Sequence, residues 1–191
     1  MTKGLYHYLR EAWKKPEGEQ IQGRMINWRA GNAIVKVDKP LRLDRARALG
    51  YKAKRGFVVF RVRVNRGGRK RQRFGVKGRK SRKTHIRKTL KMNYKWVAEI
   101  RVAREYPTLE VLNSYPIGKD GQHYFFEVIM VDPNVPEIKN DSTISWIGSP
   151  KNRRRAERGL TSSGRRARGL WNKSPDLKVR PSLRAWKRQG K

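Results

Sequence analysis

Large apolar residues recur along this chain at helical spacing in some stretches and at strand spacing in others, and the two patterns alternate. Leu5, Tyr8, Leu9 and Ala12 share one face of a helix predicted over residues 4–14. Ile21, Met25 and Trp28 do the same over 17–29, with Pro16 and Gly18 punctuating between the two. Gly31-Asn32 ends the second helix, and Ala33 to Val37 reads as a strand. Pro40 precedes a short helix from Arg42 to Leu49, which Gly50 stops. Residues 57–64 alternate, with Val58, Phe60, Val62 and Val64 on one face. The other face begins with Phe57 and Val59 and ends with Arg61 and Arg63, so this strand leaves the core presenting two arginines.

Helical spacing returns over 89–105, with Met92, Trp96, Ile100 and Ala103 on one stripe, Val97 beside it and Pro107 closing it. Two β-rich runs follow, Thr108 to Tyr115 and Gln122 to Val131, joined by a Pro-Ile-Gly-Lys-Asp-Gly hairpin connection. The second run is apolar on both faces and belongs in the middle of a sheet. A short helix near 134–139 and an irregular turn carrying Ile144, Trp146 and Ile147 cap the core. The order β-α-β-α-β-β behind two leading helices predicts an α+β fold with a mixed, mainly antiparallel sheet and flanking helices. One domain spans 1–150, and 151–191 reads as a basic C-terminal extension.

Charge changes this picture. Lys and Arg number 49 against 15 Asp and Glu, a net charge of +34 in 191 residues. Residues 65–88, between the second strand and the third long helix, hold twelve Lys/Arg and no acid. Their only large apolar residues are Phe74, Val76 and Ile86. Ordering a backbone costs roughly 1–2 kcal/mol per residue, on the order of 24–48 kcal/mol here, and nothing inside the loop offsets it. The loop is therefore expected to be disordered alone and ordered against a polyanion. The extension carries a further +13, which leaves +9 for the remaining 126 residues. Two cationic limbs on a nearly ordinary body point to nucleic acid.

The candidate contacts follow from that segregation. In the loop they are Arg66, Arg69, Lys70, Arg71, Arg73, Lys77, Arg79, Lys80, Arg82, Lys83, Arg87 and Lys88, with Arg61 and Arg63 on the strand leading into it. Arginine's planar fork grips two phosphate oxygens at once and lysine serves as a point charge. Gly67, Gly68, Gly75 and Gly78 let backbone N–H groups come close to a crowded backbone, and Phe74 and His85 can stack on unpaired bases. A solvated charge run of the targeting type is the bland alternative. In the extension the candidates are Arg153, Arg154, Arg155, Arg165, Arg166, Arg168, Arg180, Arg184 and Trp171. Trp171 and Trp186 either stack on RNA or fold back on the domain. Lys52, Lys54 and Arg55 lie in a turn between Gly50 and Gly56 that suits a phosphate contact and a plain connector equally.

Other chemistry is not legible. The chain has no Cys, which excludes disulfides, thiolate catalysis and zinc ribbons and fits a reducing cytosol. His7, His85 and His123 lack metal-ligand spacing. Glu99, Glu105 and Glu110 are scattered as on helix and strand surfaces, and Asp38, Asp44 and Glu127 suit caps or arginine pairs better than acid–base work. No nucleotide loop is present, and no apolar run approaches the ~18 residues of a membrane span. The N-terminus has no apolar signal core, so export is not expected. The reading is a non-enzyme with no small-molecule substrate and no membrane partner.

Five segments carry a resemblance: Leu49-Gly-Tyr-Lys-Ala-Lys-Arg-Gly56, Arg66-Gly-Gly-Arg-Lys70, Val111-Leu-Asn-Ser-Tyr115, Phe125-Phe-Glu-Val-Ile129 with Asp132-Pro133, and Arg158-Gly-Leu-Thr-Ser-Ser-Gly-Arg-Arg-Ala-Arg-Gly-Leu170. In this order and spacing the chain resembles the archaeal and eukaryotic large-subunit ribosomal proteins of the fifteen-e family, over essentially its whole length. It departs at Pro116-Ile-Gly-Lys-Asp120, where the family usually has Trp-Val-Gly-Glu-Asp, and its compact tail looks more archaeal than eukaryotic. The resemblance implies a cytoplasmic, structural constituent of the large subunit. Its partners would be large-subunit ribosomal RNA and neighbouring ribosomal proteins. No cofactor is implied, and magnesium would enter only as ions bound by the RNA. The rivals are a DNA-compacting or chromatin protein and an RNA-modifying enzyme accessory. Irregular threaded limbs suit RNA crevices better than a DNA groove, and no reaction centre supports an enzyme.

Overall fold

A computed structural model describes residues 3–14, 16, 18–68, 90 and 92–171. Two helices lead, α1 (Leu5–Lys14) and α2 (Gly18–Ala30), followed by β1 (Ile34–Val37), α3 (Leu43–Ala48) and β2 (Phe57–Asn65). Then come α4 (Tyr94–Glu105), β3 (Glu110–Lys119), β4 (His123–Val131), α5 (Pro136–Lys139), two 3-10 turns and α6 (Ser162–Ala167). The α+β fold and the strand–helix order are those the periodicity predicts. The sheet runs β1-β2-β4-β3, and each of its three pairings is antiparallel, so the mixed component that was allowed for is not found among the described residues.

The sheet is buried on both faces. Phe60, Val62, Val64, Phe126, Val128 and Met130 pack under Ala98 and Val102 of α4. On the opposite face Tyr115, Ile117, Phe125 and Ile129 meet Met25 and Trp28 of α2, Ala46 of α3, and Ile138, Ile144 and Ile147. β4 is interior and buried from Phe125 to Val131, as its unbroken apolar run requires. Ile144 and Ile147 cap the core as expected, whereas Trp146 is exposed.

Five local expectations are corrected. α4 begins at Tyr94, because the Asn93 side chain accepts from the Trp96 N–H at 2.8 Å and so caps the helix there. Its buried face is Ala98, Glu99 and Val102, with Val97, Ile100 and Ala103 packed only in part. β3 continues through Pro116 to Lys119, and the turn shrinks to the residues after it. Pro116 is tolerated because β3 is an edge strand whose register shifts there. Leu5 and Tyr8 of α1 remain 67% and 61% exposed. What holds α1 is its other face, where Arg42 lies over the Trp13 ring and Arg47 over the Tyr6 ring, 5.1 and 5.5 Å from the centroids. Glu99 and Glu110, read as surface acids, are buried.

The first part of the extension packs onto the domain. Ala156 sits in the α4-side core, and Thr161, Ser163 and Gly164 are buried. The Glu99 carboxyl group joins three elements here: the Ser114 hydroxyl donates to one oxygen, and the Thr161 hydroxyl donates to the other at 2.6 Å. Asn93 adds a bond to the Ser163 carbonyl at 2.9 Å, and the Trp96 indole N–H donates to the Ala156 carbonyl at 2.6 Å. Gly159 and Gly164 touch backbone to backbone. A Cβ on Gly164 would lie 2.6 Å from the Gly159 Cα.

This packing predicts opposite effects for two glycine-to-alanine changes. Gly164→Ala forces the two backbones apart and should lower stability by about 1–3 kcal/mol, as overpacking does. Gly23→Ala, within α2 and with nothing inside 4 Å, should raise it by about 0.5–1 kcal/mol. Urea unfolding of both variants checks the pair.

Candidate nucleic-acid interface

Arginines on a strand that faces a helix have carbonyls and aromatic rings within reach before any ligand arrives. Arg61 is the cross-strand partner of Glu127, and its guanidinium lies 5.4 Å from the Trp28 ring centroid. Burial lowers its pKa, and the charge of Glu127 opposes that shift. Arg63 donates to the carbonyls of Trp28 and Arg29 and so caps the C-terminal turn of α2. Both side chains clamp α2 to the sheet instead of projecting to solvent. Glu127 accepts from the Leu41 N–H at 3.0 Å, and burial pushes its carboxyl group up.

The turn at 50–56 is tied down in the same way. Lys52 and Lys54 both pair with Asp141, at 2.7 and 2.6 Å. These two ammonium groups, with Thr143 donating as well, hold the Asp141 carboxyl group below the usual range. Gly56 adopts φ +93° and lies so close to Ile138 that a Cβ would meet its Cγ1 at 2.6 Å. Arg55 is exposed.

At the base of the basic loop stands an aromatic root. The Tyr94 hydroxyl donates to the Gly67 carbonyl and accepts from the Gly67 N–H, both at 2.9 Å. Its ring stacks on Tyr124 with centroids 4.8 Å apart, and Arg66 lies over Tyr124 at 5.1 Å. Arg66 also donates to the Asp120 carbonyl at 2.7 Å. Asp120 is itself fixed by the β3–β4 turn. Its burial alone would raise its pKa, but N–H groups of His123 and Gln122 and the Arg29 guanidinium bring it to about 2. Arg69, Lys70, Arg71, Arg73, Lys77, Arg79, Lys80, Arg82, Lys83, Arg87 and Lys88 lie outside the described residues, as do Phe74, His85, Arg180, Arg184 and Trp186.

Among the described cations of the extension, Arg155 is committed to the domain, Arg168 to the extension's own backbone, and the Arg154 side chain is exposed. Arg155 donates to the Val111 and Leu112 carbonyls at 2.6 and 2.8 Å and lies 5.0 Å from the Trp146 ring centroid. Burial lowers its pKa against the pull of Glu99 and Glu110. Arg154 turns the backbone at φ 52°, its N–H bound to Glu110 at 2.8 Å. Arg168 reaches the Gly159 carbonyl at 3.1 Å. Arg153, Arg165, Arg166 and Trp171 are exposed. Arg166 acts electrostatically on Lys95, as does Arg45. The pattern of the sequence singles out Arg166 but neither Lys95 nor Arg45, because each of the latter sits in a short helix of mixed composition. The lysine at 95 one turn before a glutamate at 99 was the available signal.

With this geometry in place, comparison with known proteins adds a direct finding. A sequence profile for the family described as Ribosomal L15 matches residues 4–186. The chain is 48% identical over 191 aligned residues to the large ribosomal subunit protein eL15 of Methanospirillum hungatei, with 97% of each chain covered. It is 47% identical over 197 aligned residues to the protein of the same name from Methanocella arvoryzae, with both covered throughout.

Two measurements follow from the geometry. Arg155→Ala leaves two strand carbonyls without their donor and should destabilise the protein by about 1–3 kcal/mol in chemical denaturation. Asp120 has a depressed folded pKa, so its contribution is complete above the ordinary carboxylate value and is lost as pH falls toward about 2. Thermal melts of Asp120→Asn should therefore lie below those of the parent near neutrality and converge with them between about pH 4 and pH 2.

Proposed function

The chain belongs to the Ribosomal L15 family, and from that premise we propose that it binds and stabilises large-subunit ribosomal RNA through its basic loop and extension. As a family member it is a structural constituent of the large ribosomal subunit and not an enzyme. The finer reading concerns how it holds RNA. The observation that carries it is the division of the cations. On the domain, Lys52, Lys54, Arg61, Arg63, Arg66 and Arg155 are bound to carboxylates, carbonyls or aromatic rings. Residues 69–89 hold eleven more Lys/Arg and no acid, and no internal partner is available to them in that stretch.

Each close arginine–phosphate pair contributes on the order of 4 kcal/mol of gross attraction at an effective dielectric near 20. Water and counterions cancel most of that, and counterion release supplies the net drive. The aromatic root fixes where the limb leaves the domain, so RNA contact is directed even though the individual contacts are additive. In this reading the protein works in the cytoplasm, in the ribosome, beside neighbouring subunit proteins. It uses no cofactor, and magnesium enters only as ions held by the RNA.

Replacing residues 69–88 with a short Gly/Ser linker tests the reading, because the root residues remain. The variant should keep the parental circular dichroism spectrum and melt, yet fail to co-sediment with the large subunit in a magnesium gradient. Assembly of the variant at the parental level would overturn the role of the loop. Parental protein that travels with DNA and is released by DNase would overturn the RNA reading.

A further inference from the structure

Both basic limbs of the chain are tied to the first turn of α4. The Asn93 side chain works there in two directions. Its oxygen accepts from the Trp96 N–H at 2.8 Å and caps the helix, while its amide nitrogen donates to the Ser163 carbonyl of the extension at 2.9 Å. An N–H on one side and a carbonyl on the other leave only this orientation of the amide. Trp96 reaches the same segment. Its indole N–H meets the Ala156 carbonyl at 2.6 Å, and its ring lies so near Gly159 that a Cβ there would be 3.1 Å away. Tyr94, between the two, serves the other limb: its hydroxyl donates to the Gly67 carbonyl and accepts from the Gly67 N–H, and its ring stacks on Tyr124.

A helix end with few ties opens locally more easily than the core does. This one has no acid in its first turn to favour the exposed N–H groups, and the Gly67 that Tyr94 holds is exposed. What ties it is the extension. Ala156, Gly159 and Ser163 are buried, and Thr161 holds Glu99 further along the same helix. Undocking of residues 156–164 removes the acceptors of Asn93 and of the Trp96 indole together. The cap is then no longer held in place, and the turn that carries Tyr94 loosens with it.

We propose that Asn93 is a positioning residue that couples docking of the extension to closure of the loop root. Residues 156–164 seat on α4, Asn93 fixes the first turn, and Tyr94 then clasps Gly67. The exit of the basic loop is thereby governed by a residue 96 positions further along the chain, since Gly67 and Ser163 meet the same turn. Linkage is reciprocal, so whatever fixes the loop root also favours the docked extension. The use of the coupling, two limbs presented as one preset pair, rests on the RNA-binding reading above. The coupling itself does not, and its test contains no RNA.

Amide hydrogen exchange of the full chain, followed by NMR, reads the clasp at the Gly67 N–H and global opening at the buried Val128 N–H of the interior strand β4. Tyr94→Phe removes the clasp and calibrates the open rate. Asn93→Asp separates the two jobs of Asn93, because a carboxylate caps a helix as well as an amide does but has no hydrogen for Ser163. Exchange at Gly67 should rise about fivefold or more in Asn93→Asp, toward the Tyr94→Phe rate, while Val128 changes less. Thr161→Val, which frees the extension from the Glu99 side, should act in the same direction, and Thr161→Ser, which keeps the hydroxyl, should restore the parental rate. Asn93→Asp retains the cap and the Glu99 network, so it decides the matter even where Thr161→Val does not fold. Parental exchange at Gly67 in Asn93→Asp or in Tyr94→Phe overturns the coupling. Equal acceleration at Gly67 and Val128 overturns it too, since only global stability has then moved. Each of these failures leaves the RNA reading standing.

Discussion

A carboxyl group buried between a helix and an edge strand holds the charged parts of this protein in register. Glu99 binds Ser114 on β3 with one oxygen and Thr161, the residue capping α6, with the other. A buried carboxylate without partners costs several kcal/mol, on the order of what a whole small domain can spare, so this network stands or fails as a unit. Once it stands, Ala156 enters the core, Arg155 reaches the β3 carbonyls, and Asn93 bonds Ser163 while capping α4. The start of α4 is thereby set, and with it Tyr94 at the root of the basic loop. Placement of the loop depends on a polar contact some distance from it.

A chain with a net charge of +34 faces a second constraint, because every cation near the core must be matched or kept wet. This fold matches many of its cations with neutral groups. Arg63 and Arg155 take backbone carbonyls, and Arg42, Arg47, Arg61, Arg66 and Arg155 lie over aromatic rings. Carboxylates are too few to do the work alone: Asp141 serves two lysines at once. Arginine is suited to this, since its weakly hydrated planar fork loses less on burial than an ammonium group. The consequence for function is a sorting of like residues. Arg61 and Arg55 are six positions apart, yet one is half-buried over Trp28 and the other is exposed.

The proposed function gives such sorting a use. A structural constituent of the large subunit needs a body that folds with its own charges neutralised and limbs whose charges remain for a polyanion. The aromatic root joins the two regimes. Arg66 is held against Tyr124 and the Asp120 carbonyl, and the other eleven cations of the acid-free run begin three residues later.

Much of this was legible in the sequence, and the limits have physical causes. Period-2 and period-3.6 patterns report which face of a segment is apolar, so the strand–helix order, the interior position of β4 and the α2 face of Met25 and Trp28 could be read directly. The acid-free run from 65 to 88 points to a polyanion partner without any coordinates, because repulsion and ordering entropy act on the chain itself. What a cation touches is a different kind of fact. Arg61 beside Glu127 and Lys54 on Asp141 join residues 66 and 87 positions apart, Arg155 over Trp146 spans nine residues of irregular turn, and no local pattern encodes them. Glu99 was read as a surface acid for the same reason. Ser114 comes near when α4 packs on β3, Thr161 only when residues 150–171 fold back over α4, and the Gly159–Gly164 contact within that segment resembles loop composition in the sequence. The sequence by itself thus determined the elements and most of the core faces and pointed to a class of partner, all of which depend on composition and spacing. Tertiary structure alone decided which charges were left to meet that partner, because neutralisation is set by distance in space.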